Sequence, residues 1–520
     1  MKIPFAPALI IATLVAPSLT AEPLTRVATV PLGAEITGLF LDGDDLFFNV
    51  QHPDEDLGTI YARASVGVFA NADFEGGEQE VPKGDDKKLV KSSLGPYQIL
   101  VQEGGFDKIG RISGEGGEIK ISRKPDFNAF VGTSKGQGYL FTNWEDRPGG
   151  MSRIKMTRGV GGQWDVHKDG TEMLDFSGVE GTWRNCFGTL SPWNTPLSAE
   201  ELYFDDTADW NDASHAAISG VANLEAYLGY FPNPYRYGYI VEMQAPVRDP
   251  SPVKHFAQGR FSHENSVVMP DQKTVYLSDD GTDVVFFKFI AERAGDLSSG
   301  TLYAAQMKQV SEPGSSAADA AFQITWIELA YGSNDEIESW IAQYDGITQA
   351  DFVEGRTSYI SQDEIDAWAR GEADDNRVAF LESRKAAAAK GATAEFRKME
   401  GVNINYSGAA DGSVPYMYLA MSEVSRRMSD DEGDIRVEKN KCGVVYELRL
   451  DSTYNVAKMV PVIAGGPYDK HAEVNSCDVN NLANPDNIVV LPSGSVLVGE
   501  DSSKHENNAL WLFTPPRLQK

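Results

Sequence analysis

The stretch WRNCFGTLSPWNTPLSAEE, residues 183–201, sets a thiol, Cys186, ahead of the adjacent carboxylates Glu200 and Glu201. A thiolate is a softer metal ligand than a carboxylate, so a cysteine set near acids raises the question of why a thiol stands there. Alone, such a cysteine would read as a buried small hydrophobe, and Glu200 reads as a solvated neighbour of Glu201. Cys442 and Cys477 lie closer to the C-terminus and could pair with each other, which leaves Cys186 as the odd thiol of three.

The position of Cys186 recurs along the chain. Glu264 opens ENSVVMPDQKTVYLSDD, Asp486 opens DNIVVLPSGSVLVGED, Asp126 opens DFNAFVGTSKGQGYLFTNWED and Glu400 opens EGVNINYSGAADGSVPYMYLAMSE. Each is an acid, an apolar run, a turn and a second apolar run closing near an acid. CFGTLSPWNTPLSAEE follows the same frame, with the thiol where the other copies carry a carboxylate. A looser sixth copy, EITGLFLDGDDLFFNVQHPDED, starts near Glu35. Six copies of a two-strand unit predict an all-β chain, a six-bladed β-propeller whose equivalent strand ends converge on one channel mouth. Carboxylates brought together there would repel one another unless metal ions neutralise them.

These units must be held by strands and turns, and the composition agrees: 49 glycines and 26 prolines punctuate short alternating apolar runs. The span 318–395 breaks the rhythm, and its spacing predicts a helical insertion in one blade, with Ser361 or Asp363 as a cap. Residues 1–21 read as a general-secretion signal peptide ending near Ala21, so residues 22–520 form the expected single propeller domain, periplasmic or secreted. No later stretch reaches the roughly 18 apolar residues of a membrane-crossing helix. A formal charge of -30 argues against nucleic acid and anionic membrane as partners, and for bound cations.

The Cys186 stretch resembles the signature of the PhoX-type alkaline phosphatases, and GRFSHENSVVMPDQKTVYLSDDG, WEDRPGGMSRI, ANPDNIVVLPSGSVLVGED and LFFNVQHPDED are similar to other segments of that family. The resemblance covers most of the chain after residue 21. It implies a propeller with a mixed iron and calcium cluster (Fe3+ and several Ca2+) that hydrolyses phosphate esters. Cys186, Glu201 and Glu264 would ligate iron, and Glu145, Asp279, Asp280, Glu400, Asp486 and Asp501 would serve calcium or the outer shell. In YLAMSEVSRR, Arg427 or else Arg426 would bind phosphate. The expected partner is a small phosphate ester and the expected state a monomer.

Four features depart from the family pattern. Ala199 stands where the family has a second cysteine, and Glu423 brings a negative charge in place of an amide. The leader lacks a twin-arginine pair. The segment near Glu35 lies near the N-terminus here and near the C-terminus in the family, which implies circular permutation of a closed ring. Two other readings remain open from the residues alone: a calcium-dependent lactonase or phosphotriesterase-like propeller hydrolase, and a non-enzymatic propeller that keeps calcium for stability and binds a ligand or protein.

Overall fold

The computed structural model describes residues 24–202, 204, 206–351, 353 and 358–518. The expected leader lies outside them. The chain is mostly β, built from antiparallel strands. Six successive sheets open with the strands Glu35–Asp42, Pro125–Ser134, Asn185–Leu190, His263–Val268, Met399–Ile404 and Pro485–Val490. The first three have four strands each. The fourth and fifth merge into one nine-stranded sheet through the pairs Phe322↔Met459 and Gln323↔Lys458. In the sixth, Leu24–Thr29 pairs with Ala509–Phe513, so the two ends of the described chain lie side by side. The six opening strands neighbour one another in a closed cycle.

Strands buried on both faces explain the apolar runs. In Asp45–Gln51, Phe47 packs with Leu140 and Trp144 of the second sheet, while Phe48 packs with Leu497 and Leu510 of the sixth. Successive side chains point to opposite faces, so one strand serves two cores. Aromatic and β-branched residues fill both.

One irregularity repeats in all six sheets. Near its start, after one residue in register in five sheets and after three in the first, each opening strand sets two residues against one of its neighbour, the pattern of a β-bulge. In five copies the first bulge residue is Asp126, Cys186, Glu264, Glu400 or Asp486. The flanking pairs are Pro125↔Trp144, Asn185↔Glu200, His263↔Asp279, Met399↔Met421 and Pro485↔Glu500. A bulge frees its residue from the ladder and re-aims the side chain, which is why the ligand-type residues sit there. In the first sheet the bulge follows Thr37↔Asn49, so the equivalent position is Gly38 and not Glu35. Gly38 has φ +63°, and a Cβ there would lie 2.0 Å from the Asp126 carbonyl oxygen. Only glycine fits this copy.

The expected helical span begins later than 318. Phe322–Ser333 is a strand paired with Asp296–Gln309, in keeping with its alternating ITWIELAY residues. Helices follow at Asn334–Ile341, Gln362–Ala369, Arg377–Leu381 and Ser383–Ala389. Ser361 caps Gln362–Ala369 in a capping box with Glu364. A further helix, Ile218–Leu228, packs Val221 and Leu224 near Trp183 and Trp210.

Candidate metal centre

The five ligand-type bulge residues line one cavity of about 80 Å³. It holds nine carboxyl groups and the Cys186 thiol against three cations, Lys124, Arg184 and Lys398. Two triads bring ligand atoms within 4.8 Å of one another: Glu145, Cys186 and Glu201, and Glu264, Glu400 and Asp486. Glu145, Glu201, Asp280 and Asp501 enter just past the ends of the second strands of four sheets. Glu35 enters from the first sheet.

Without cations, crowded buried carboxyls hold protons. Burial raises Asp126, Glu35 and Glu400 to about 7. Burial, with Asp486 and Glu400 beside it, puts Glu264 well above the carboxylate range, and Asp486 rises likewise. Glu201 shares a hydrogen bond with Asp280. Burial pushes Glu201 well up, whereas Lys398 overcomes the burial of Asp280 and holds it below its ordinary value. Burial and the neighbouring Asp126 and Glu264 also lift the Cys186 thiol far up. The thiol donates to Asp126 Oδ2 at 3.2 Å and Glu264 Oε2 at 3.0 Å.

The three cations are spread around the rim. Arg184 bridges Glu145 and Glu201, the latter at 3.0 Å. Lys398 contacts Asp280 at 3.2 Å and Glu400 at 2.9 Å. Lys124 lies 3.5 Å from Glu145. The donor set fits bound cations: Asp126 Oδ1 is buried and has no hydrogen-bond partner among the described residues. A cation would also replace the proton on the thiol, since metal ligation deprotonates cysteine.

Several expected site residues lie elsewhere. Asp279 is turned away and held by Arg384 (Nε at 2.8 Å) and by the Val285 N–H at 3.2 Å. Its position alternates with that of Asp280, so adjacent residues face opposite ways. Arg426 and Arg427 are exposed and do not line the cavity; Arg427 reaches the Ala394 carbonyl at 3.3 Å. Their short 3₁₀ turn, Arg426–Ser429, carries them away from the strand end. Glu423 contacts Lys441 at 3.5 Å instead of the cavity. Glu200 is not solvated. It is fully buried, accepts from the backbone N–H groups of Trp183, Gly238 and Tyr239, and pairs with Lys254 at 3.0 Å.

Sequence reasoning missed Lys124, Arg184 and Lys398, although a signal was present. Each stands two residues before a bulge ligand, namely Asp126, Cys186 and Glu400. Each lies one residue before the start of an opening strand, where the chain enters the sheet at the cavity.

The family model for the alkaline phosphatase PhoX matches residues 142–515. This chain belongs to the PhoX family. It is therefore a metal-dependent phosphatase, and its acidic cavity supplies groups able to hold the metal. Among solved structures, Pseudomonas fluorescens PhoX in complex with vanadate, a transition state analogue, is 20% identical, with a TM-score of 0.52 over 75% of this chain and 77% of that one. A putative 6-phosphogluconolactonase from Bacteroides fragilis is 10% identical, with a TM-score of 0.32 over 93% and 89% of the two chains. A Trichoderma reesei carbohydrate-active enzyme of family AA12 is 9% identical, with a TM-score of 0.36 over 95% and 96%. The comparison with curated proteins returned no match. The PhoX match leaves the whole first sheet outside its range.

Proposed function

We propose that the chain hydrolyses phosphate esters at the acidic cavity through a mixed iron and calcium centre, outside the cytoplasm. The observation that carries this reading is the convergence of Cys186 with four carboxylates from equivalent bulges, ringed by three cations. Cys186, Glu145, Glu201 and Glu264 would hold the softer metal, because only a softer metal gains from a thiolate. Asp280, Glu400, Asp486 and Asp501 would hold calcium, which takes oxygen donors. Bound cations would supply Lewis acidity toward the phosphoryl group.

The protein groups do the positioning. Arg184 orients Glu145 and Glu201 by contacting both. Lys398 keeps Asp280 ionised beside Glu400. Lys124 and Arg184, at the cavity rim, are the groups we assign to the phosphoryl oxygens, in place of Arg426 and Arg427. A guanidinium suits them because it donates paired, planar hydrogen bonds.

We read the closed cycle of opening strands as a single six-bladed propeller domain with a helical insertion. The side-by-side chain ends and the unmatched first sheet support circular permutation relative to the family. The disulfide between Cys442 and Cys477 supports an oxidising compartment. No helix among the described residues is long and apolar enough to cross a membrane. The test is turnover of p-nitrophenyl phosphate by protein purified with iron and calcium, alongside elemental analysis. Folded, fully metal-loaded protein that releases no phosphate at any pH overturns the reading.

A further inference from the structure

A second pocket, of about 320 Å³, adjoins the acidic cavity and shares Lys124, Glu145 and Arg184 with it. Its charge is reversed. Lys120, Lys124, Arg147 and Arg184 line it, against only Glu145 and Asp146. Lys120 pairs with Asp146, Lys124 with Glu145, and Arg184 with Glu145 and Glu201, yet the four cations exceed the two acids of the lining, so in a chain with a net charge of -30 the pocket is a local attractor for anions.

The pocket is built and not a chance grouping of surface lysines. The Arg147 guanidinium lies over the Trp183 ring, 5.4 Å from its centroid. Gly220 makes room for this arginine, since a Cβ there would meet Arg147 Cδ at 2.5 Å and Trp183 Cη2 at 2.9 Å. Asn223 Nδ2 donates to the Arg147 carbonyl at 3.2 Å, and the Arg147 N–H donates to Asp146 Oδ1 at 3.1 Å. Among the described residues, Arg147 Nε is buried without a hydrogen-bond partner. The guanidinium is thus held in place with donor capacity unspent.

Resting on the proposed reaction site next door, we infer that this pocket binds a second anionic group on the alcohol side of the ester. The substrate class is a phosphate monoester whose leaving group carries a carboxylate or another phosphate. The scissile phosphoryl group lies in the acidic cavity with its cations, and the leaving group extends past Lys124 and Arg184 toward Arg147 and Lys120. A neutral alcohol of the same size gains nothing from these two residues.

The experiment compares 4-carboxyphenyl phosphate with phenyl phosphate on the metal-loaded protein, as kcat/KM and as Kd by calorimetry. The wild type favours the carboxylated ester, and the preference shrinks as salt screens the charges. Arg147→Gln lowers the preference about tenfold, mostly through KM, as expected for one charge-assisted hydrogen-bonded contact. Lys120→Gln, which removes a cation already paired with Asp146, lowers it by a smaller factor and serves if Arg147→Gln fails to fold. Equal kcat/KM and Kd for the two esters in the wild type, or a preference untouched by either variant, overturns the inference while leaving the phosphatase standing. Failure to hydrolyse either ester counts against the reaction site alone, because the Kd ratio still reads the pocket.

Discussion

Three pairs of adjacent acids in this protein have opposite fates. Glu200, Asp279 and Glu500 end the second strands of their sheets; Glu201, Asp280 and Asp501 come next. The first member of each pair is buried and satisfied. Glu500 accepts from the N–H groups of Ala483 and Ala509, from Trp511 Nε1 at 2.7 Å and from His505 Nδ1 at 3.0 Å. Glu200 and Asp279 have equivalent sets that include Lys254 and Arg384. The second members point into the cavity, where acids face mainly other acids. Burial alone therefore does not mark a functional carboxylate; being left with like charges does. The outward acids staple loops to the sheets, and the inward acids wait for a cation.

The strongest way to test that contrast is to remove an inward acid. Glu264→Ala should lower kcat about a thousandfold by stripping a ligand and misplacing the centre. Metal content per folded chain should fall with it, because this carboxyl is one of the groups able to hold the centre. Turnover assays and elemental analysis on the same sample read both effects. Removing an outward acid should do the reverse. Glu500→Ala should cost about 3 kcal/mol in denaturant unfolding, leaving His505, Trp511 and two N–H groups without their acceptor. Metal content per folded chain should stay at the wild-type level.

The pH dependence sharpens the same contrast. Asp126, Glu35 and Glu400 titrate at about 7 in the folded metal-free chain, against roughly 4 when unfolded. The folded state therefore binds more protons between those values, and stability must fall as pH rises through that window. Metal-depleted protein should melt at a lower temperature at pH 8 than at pH 5. Metal-loaded protein should lose this trend, since cations replace those protons and bind better as pH rises. The smallest effect is expected at the exposed arginines. Arg426→Ala and Arg427→Ala should each leave kcat/KM on p-nitrophenyl phosphate within about twofold, the usual range for a surface change.

Much of the site was legible from the repeat. Asp126, Cys186, Glu264, Glu400 and Asp486 could be aligned because each opens the same strand–turn–strand unit, and the structure puts all five in the same bulge. Glu145, Glu201, Asp280 and Asp501 were legible as strand-end acids that the cavity gathers. The register of the sixth copy was not legible, because its strand runs past the bulge on the N-terminal side, through Glu35↔Gln51, and its most visible acid is out of register with Gly38. The resemblance placed Arg426 and Arg427 at the site, whereas the structure leaves both exposed and outside the cavity lining, because a turn after the strand decides where those side chains go. The basic pocket was not legible at all. Lys120, Arg147 and Asn223 come from separate segments with no shared spacing.

The order of residues by itself determined the strand periodicity, the repeated unit and the substitution of a thiol for one of its acids, because these depend on neighbours along the chain. Which of two adjacent glutamates meets solvent, a lysine or a cluster of other acids was decided only by the tertiary structure. That outcome depends on a half-turn of side-chain direction at each strand end, and on which distant backbone N–H groups and cations the closed cycle of sheets brings to either side.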